Sequence, residues 1–205
     1  MRILDIEQGT DEWLEVRNAV ITGTRLKQVL GKAPKTLLYE LIAEQLAPAK
    51  ERSANEAMER GSELESDALA LYELTTGNSA DQVGFVLHET YDWLGVSPDA
   101  LVEVKKHYRG AVEIKCPDTN THIKYLIEGK VPTEYRAQVL QYFLVCDTVE
   151  WLDFVSYDPR ISLPELQLFI VRVTREELAD ELAVAEGKLL TFRTKWEELT
   201  SKYIF

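Results

Sequence analysis

The sequence has only two cysteines, Cys116 and Cys146. They exclude a disulfide-stapled scaffold and a four-cysteine metal or iron–sulfur cage, and they suit a reducing compartment. No apolar run approaches the ~20 residues that cross a bilayer. The leading residues, MRILDIEQGTDEW, lack the apolar stretch of a signal peptide. A cytoplasmic protein without membrane attachment is therefore expected. There is no internal repeat, low-complexity tract or Gly/Ser linker. Basic residues are short as well: 23 Lys and Arg stand against 35 Asp and Glu, for a net charge of −12. Taken whole, that balance argues against a nucleic-acid partner.

What is present is a 205-residue chain, 45% hydrophobic and 28% charged. That is enough for one globular domain with an unaided core. Its charge is segregated. Residues 51–103 carry a net −10, whereas 104–136 carry +3, and Arg17 to Lys35 holds five cations and no acid. Segregation leaves an anionic substrate open.

Apolar spacing predicts N-terminal helices across 10–75. One spans 10–17 behind a Thr10 or Asp11 cap, one runs from Thr22 to Gly31, and one opens at Pro34 with Leu37, Leu38, Leu41, Ile42 and Leu46 on one face. A longer helix covers 54–75 and buries Met58, Leu64, Ala68, Leu71 and Tyr72. A flexible joint is expected at about 47–56. The period then changes to two: GFVLHE, WLGVSPDALVEVKK and GAVEIKC read as a meander, with a turn at His107–Gly110. Two helices follow, then strands EWLDFVSYD and LQLFIVRV, which complete a sheet-and-helix block over 83–173. A helix over 174–200 closes the chain, with Thr174 and Glu177 as a capping box. The expected fold is one α/β domain over 1–205, with a mixed central sheet of about five strands flanked by helices.

One constellation can carry chemistry: Ser97-Pro98-Asp99, then Glu113-Ile114-Lys115. Asp99 sits where a strand breaks at a proline. Glu113 and Lys115 are two apart on the next strand and share a face. Across paired strands Asp99 approaches Glu113, and two carboxylates so close repel unless a cation lies between them. A hard divalent ion with oxygen ligands suits this set, with the Ile114 carbonyl as a further ligand. Lys115 would then orient or deprotonate a water, or stabilise charge on a phosphate. The other reading of the same residues is a solvated hairpin with a surface Glu–Lys pair. The interleaved apolar residues Val112, Ile114 and Cys116 favour a site.

Pro98-Asp99…Glu113-Ile114-Lys115 resembles the PD-(D/E)xK nuclease superfamily, whose core is restriction-endonuclease-like. EQGTDEWLEVRNAVITGT (7–24), MERGSELESD (58–67), SPDALVE, EIKCP, EYRAQVLQY and YDPR, in that order over about 7–160, resemble the lambda exonuclease or YqaJ-type recombinase family of phages. The resemblance implies a Mg²⁺- or Mn²⁺-dependent enzyme that digests one strand of linear double-stranded DNA processively, 5′→3′. It would leave a 3′ tail for a partner annealing protein in phage-type recombination in the bacterial cytoplasm, acting as a homotrimeric ring. It assigns Asp99, Glu113, the Ile114 carbonyl and Glu65 to the metal, and Lys115 to catalysis. Arg17 and Thr24 are assigned to the DNA 5′-phosphate, and Tyr135, Gln138 and Glu89 to the lining of the site. By themselves Glu65 reads as a solvated helix acid, Arg17 as a surface arginine and Tyr135 as a core-edge aromatic. Residues 35–56 and the last helix match no motif. The rival of another class is a catalytically inactive DNA-binding scaffold; the joint presence of Glu65, Asp99, Glu113 and Lys115 speaks against it.

Overall fold

The computed structural model describes residues 1–32, 34–47 and 56–203, and in the helix that begins at Glu56 the side chains from Leu64 on. The central sheet has five strands: β2 (Ala80–Asp81), β5 (Ala100–Val104), β6 (His107–Lys115), β7 (Trp151–Tyr157) and β8 (Leu168–Thr174), in the order β2-β5-β6-β7-β8. Only the β6–β7 pair is parallel. Parallel neighbours need a long crossover. Here α5 (Thr119–Glu128) and α6 (Arg136–Val145) supply it. A smaller antiparallel sheet joins β1 (Arg2–Leu4), β3 (Phe85–Leu87) and β4 (Gly95–Val96).

Alternation along β6 sends its side chains into two cores. Val112 and Ile114 pack with Ala68, Leu69 and Tyr72 of α4 (Glu56–Thr76). Ala111 packs with Leu152, Phe154 and the α6 residues Val139, Leu140 and Phe143. Behind α6 lie α2 (Gly23–Leu30), α3 (Pro34–Leu46) and α7 (Ala179–Tyr203), which add Leu26, Leu37, Leu41, Leu189 and Trp196 to that core. The remaining helix, α1 (Asp11–Val16), starts at Thr10, whose hydroxyl accepts the Trp13 N–H.

The structure corrects several expectations. The fifth strand of the central sheet is Ala80–Asp81, and GFVLHE belongs to the smaller sheet instead. The hairpin turn lies at Lys105–Lys106, both in the left-handed region (φ 53° and 66°), and His107–Gly110 are strand. Gly110 is needed for closeness: a Cβ there would sit 2.3 Å from the Trp151 ring of the neighbouring strand. The Thr174–Glu177 box forms in both directions, at 2.7 and 3.2 Å, but the regular helix starts at Ala179. Leu46 is exposed. Residues 48–55 of the expected joint and the side chain of Met58 lie outside the described residues.

Candidate active site

The register Ala100↔Val112 puts Asp99 opposite Glu113. Asp99 follows the Pro98 break, and its Oδ2 accepts the Ile114 N–H at 2.6 Å. Glu113, on the α6 face of β6, is 3% exposed. Its Oε1 lies 2.5 Å from Lys115 Nζ, and its Oε2 accepts the Tyr142 hydroxyl at 2.7 Å. The same hydroxyl accepts the Asp99 N–H at 3.3 Å. Tyr142 therefore ties the two acidic positions together from α6. The Lys115 ammonium also lies 5.3 Å from the centre of the Tyr135 ring, which packs on Phe154.

The electrostatics are those of a crowded acidic centre. Burial, then Glu113, then Glu65 push the Asp99 carboxyl well above its ordinary range; Lys115 and the Ile114 N–H counter them. Burial also raises Glu65, with Lys115 opposing and Glu113 adding. Burial would lower the Lys115 ammonium, but Glu113 and Asp99 outweigh it and hold it above its usual range. Glu65 thus shares the field of this cluster although it comes from α4, on the other side of the sheet. Mutual repulsion that leaves carboxylates hard to ionise is what a divalent cation relieves, and the donors are all oxygens. Among the described residues no three acidic, histidine or cysteine side chains close into a ready metal cluster. Glu113 is turned onto Lys115 and Tyr142, and Asp99 onto Ile114.

Two cavities flank Asp99 and Glu113. A groove of about 350 Å³ is lined by Ile6, Glu7, Gln8, Glu65, Ser66, Gln82, Val83, Gly84 and Asp99. On the other side a cavity of about 60 Å³ is lined by Arg17, Thr22, Gly23, Thr24, Ser97, Glu113, Gln138 and Tyr142, among others. Arg17, the C-cap of α1, stacks on Trp13 at 3.9 Å and donates to Ser97 Oγ at 2.5 Å. Thr24 is exposed in the first turn of α2, whose cap residue Thr22 makes no side-chain cap bond. Helix-start N–H groups left in this way suit an anion. Gly23 lets α2 reach α6, since a Cβ there would lie 2.9 Å from Gln138 Cα.

The structure thus gathers Glu65, Asp99, Glu113, Ile114 and Lys115 in one place, with Tyr135 beside the lysine and Arg17, Thr24 and Gln138 in the adjoining cavity. Glu89 is not among the lining residues of either cavity. It lies exposed on the turn after β3, where it pairs with the Met1 amino group at 2.8 Å. Ser97 and Tyr142 stand inside the quoted motifs SPDALVE and EYRAQVLQY, but the sequence reading gave them no role. Tyr142 is four residues after Gln138 on one helical face, and Ser97 precedes the Pro98 break; both positions were legible signals. The basic windows are also less free than their charge suggests: Arg25 is buried against Glu44, Arg109 pairs with Glu150 and Arg136 with Glu181.

A five-stranded mixed sheet flanked by helices, with acids and a lysine meeting at the end of its middle strand, is the fold found in exonucleases. The YqaJ-like viral recombinase domain matches residues 12–148, and the chain belongs to that family. It is similar to LHK-Exo, an alkaline exonuclease from Laribacter hongkongensis, one structure of which is a complex with dAMP: 36% identity, 94% of this chain and 97% of that one, TM-score 0.78. A phage-related exonuclease from Haemophilus somnus 129PT shares the fold at 16% identity and TM-score 0.59, over 89% of this chain and 96% of that one. No curated protein matches the chain.

Proposed function

We propose that the chain is a divalent-metal-dependent deoxyribonuclease that digests one strand of linear double-stranded DNA from a 5′-phosphorylated end. The observation that carries this is the position of Glu113. It faces Lys115 in the acidic cluster and also walls the cavity of Arg17, Thr24 and Gln138. A terminal phosphate held in that cavity would set a phosphodiester nearby against Asp99, Glu113 and Lys115. Positioning of this kind supplies much of a phosphoryl-transfer rate.

Asp99, Glu113, Glu65 and the Ile114 carbonyl would hold Mg²⁺, with Mn²⁺ as a substitute, and the ion would supply Lewis-acid activation of the phosphodiester and its attacking water. The protein's own groups do the rest. The Ile114 N–H and the Tyr142 hydroxyl fix the two carboxylates. Lys115, held protonated while both carboxylates face it, orients water by hydrogen bonding and stabilises charge on the phosphate. Arg17 forks onto the terminal phosphate, helped by the Thr24 hydroxyl and the α2 N–H groups.

The 5′→3′ polarity, processivity, 3′ tail, three-subunit ring and annealing partner rest on the family resemblance. Duplex DNA labelled at the 5′ or 3′ end, digested with Mg²⁺ and then with EDTA, tests the reading. Early release of 5′ label that EDTA stops is expected. Early release of 3′ label would refute the polarity, and no release at all would favour an inactive scaffold.

A further inference from the structure

We infer that Gln141 is a positioning residue that keeps the phosphate cavity in register with the acidic centre, an inference that rests on the function proposed above. Gln141 is fully buried on α6. Its Nε2 donates to the Ile21 carbonyl at 2.8 Å and to the Gly95 carbonyl at 2.9 Å. Those two carbonyls belong to the two chain segments that build the site. Ile21 directly precedes Thr22-Gly23-Thr24, the lip of the cavity. Gly95 lies two residues before Ser97 and four before Asp99. The segments also touch each other: the Ile21 N–H donates to the Trp93 carbonyl at 2.8 Å and the Gly95 N–H to the Ile21 carbonyl at 3.1 Å. Gln141 closes the joint from a third side.

Its helix neighbours show what that position serves. Gln138, one turn earlier, lines the cavity, and Tyr142, the next residue, holds Glu113. One helix thus carries a cavity residue, the bridge between segments and the support of an acidic ligand. The amide acts through its donors. Its Oε1 is buried with no partner among the described residues, a penalty an apolar side chain would avoid. A flipped amide would point that oxygen at two carbonyls. The joint is also tight: a Cβ on Gly95 would lie 2.6 Å from the Phe85 ring. Two residues on from Gly95, Ser97 accepts from Arg17, so the bridge sets where the guanidinium stands in the cavity.

The test is steady-state digestion of linear duplexes with 5′-phosphate or 5′-hydroxyl ends by the wild type, Gln141→Met and Gln141→Glu. The expected result is a KM for phosphorylated ends raised on the order of tenfold, with the hydroxyl-end rate kept within about twofold. In an Arg17→Ala background, Gln141→Met should add no further loss of phosphate preference. Equal losses on both ends, fully additive losses with Arg17→Ala, or failure of both variants to fold would each overturn the assignment and leave Gln141 a folding residue. A wild type without phosphate preference would instead refute the proposed function.

Discussion

Glu113 stands between two unlike halves of one site. On one side Asp99, Glu113 and Glu65 crowd together, with Lys115 as the cation among them and burial raising Asp99 and Glu65. On the other, Arg17, Thr24, Ser97 and Gln138 present a guanidinium, hydroxyls and an amide with no acid except Glu113 itself. One half suits a cation and the other an anion, a few residues apart along β4, β6 and α6. A chain with net charge −12 can therefore still handle DNA, because partner choice follows local charge.

The largest effect is expected when the acidic half loses its cation. Lys115→Ala should lower Mg²⁺-dependent digestion of duplex DNA on the order of a hundred- to a thousandfold with the fold intact. Wild-type rates, with circular dichroism unchanged, would sink the role. Emptying the anionic half should be gentler and selective. Arg17→Ala should cost about ten- to a hundredfold on 5′-phosphorylated ends and much less on hydroxyl ends. A uniform loss would make Arg17 a structural residue, through its stacking on Trp13.

Tyr142→Phe sharpens the boundary between the halves. It strips one hydrogen bond from buried Glu113 and should slow cleavage about tenfold, the equivalent of ~1.4 kcal/mol. An unchanged rate would show that Glu113 needs no support from α6. The smallest effect belongs to a group that lines neither cavity. Burial would raise the Asp158 carboxyl, but Arg160 and Thr119 bind it and bring it down to about 2. Its folded value is depressed, so its stabilisation is present above the ordinary aspartate value near ~3.9 and fades as pH falls toward about 2. Asp158→Asn should flatten the acid limb of the stability curve between those values and leave digestion at neutral pH unchanged. A rate loss at neutral pH would tie this loop to the site.

Most of the helices were legible because their boundaries carry local chemistry: Thr10 as a cap, Pro34 as a start and Gly31 as a stop. Strand pairing was harder. Gly110 looked like a turn residue, yet it is a packing residue under Trp151, and the two lysines that do turn carry no such signal. Short strands such as Ala80–Asp81 have too few residues to show a period, so the fifth strand was misplaced. Within the site, alternation alone puts Glu113 and Lys115 on one face, and the adjacent strand brings Asp99 near them; the register that sets Asp99 opposite Glu113 depends on the turn at Lys105–Lys106 and a bulge at Val102/Glu103, which the expected turn at His107–Gly110 did not supply. Arg17, Thr24 and Glu65 come from distant elements, and only the resemblance pointed to them. Gln141 had a faint signal, a polar residue inside the apolar run VLQYFLV, but what it binds depends on backbone carbonyls that only tertiary structure assembles.

The proposed fit of the acidic half to a divalent cation can be measured without DNA. Titration of Mn²⁺ into the protein by calorimetry should show saturable binding that Asp99→Asn removes or weakens at least about tenfold, with the thermal unfolding of the variant unimpaired. Equal Mn²⁺ binding by wild type and Asp99→Asn would contradict the account.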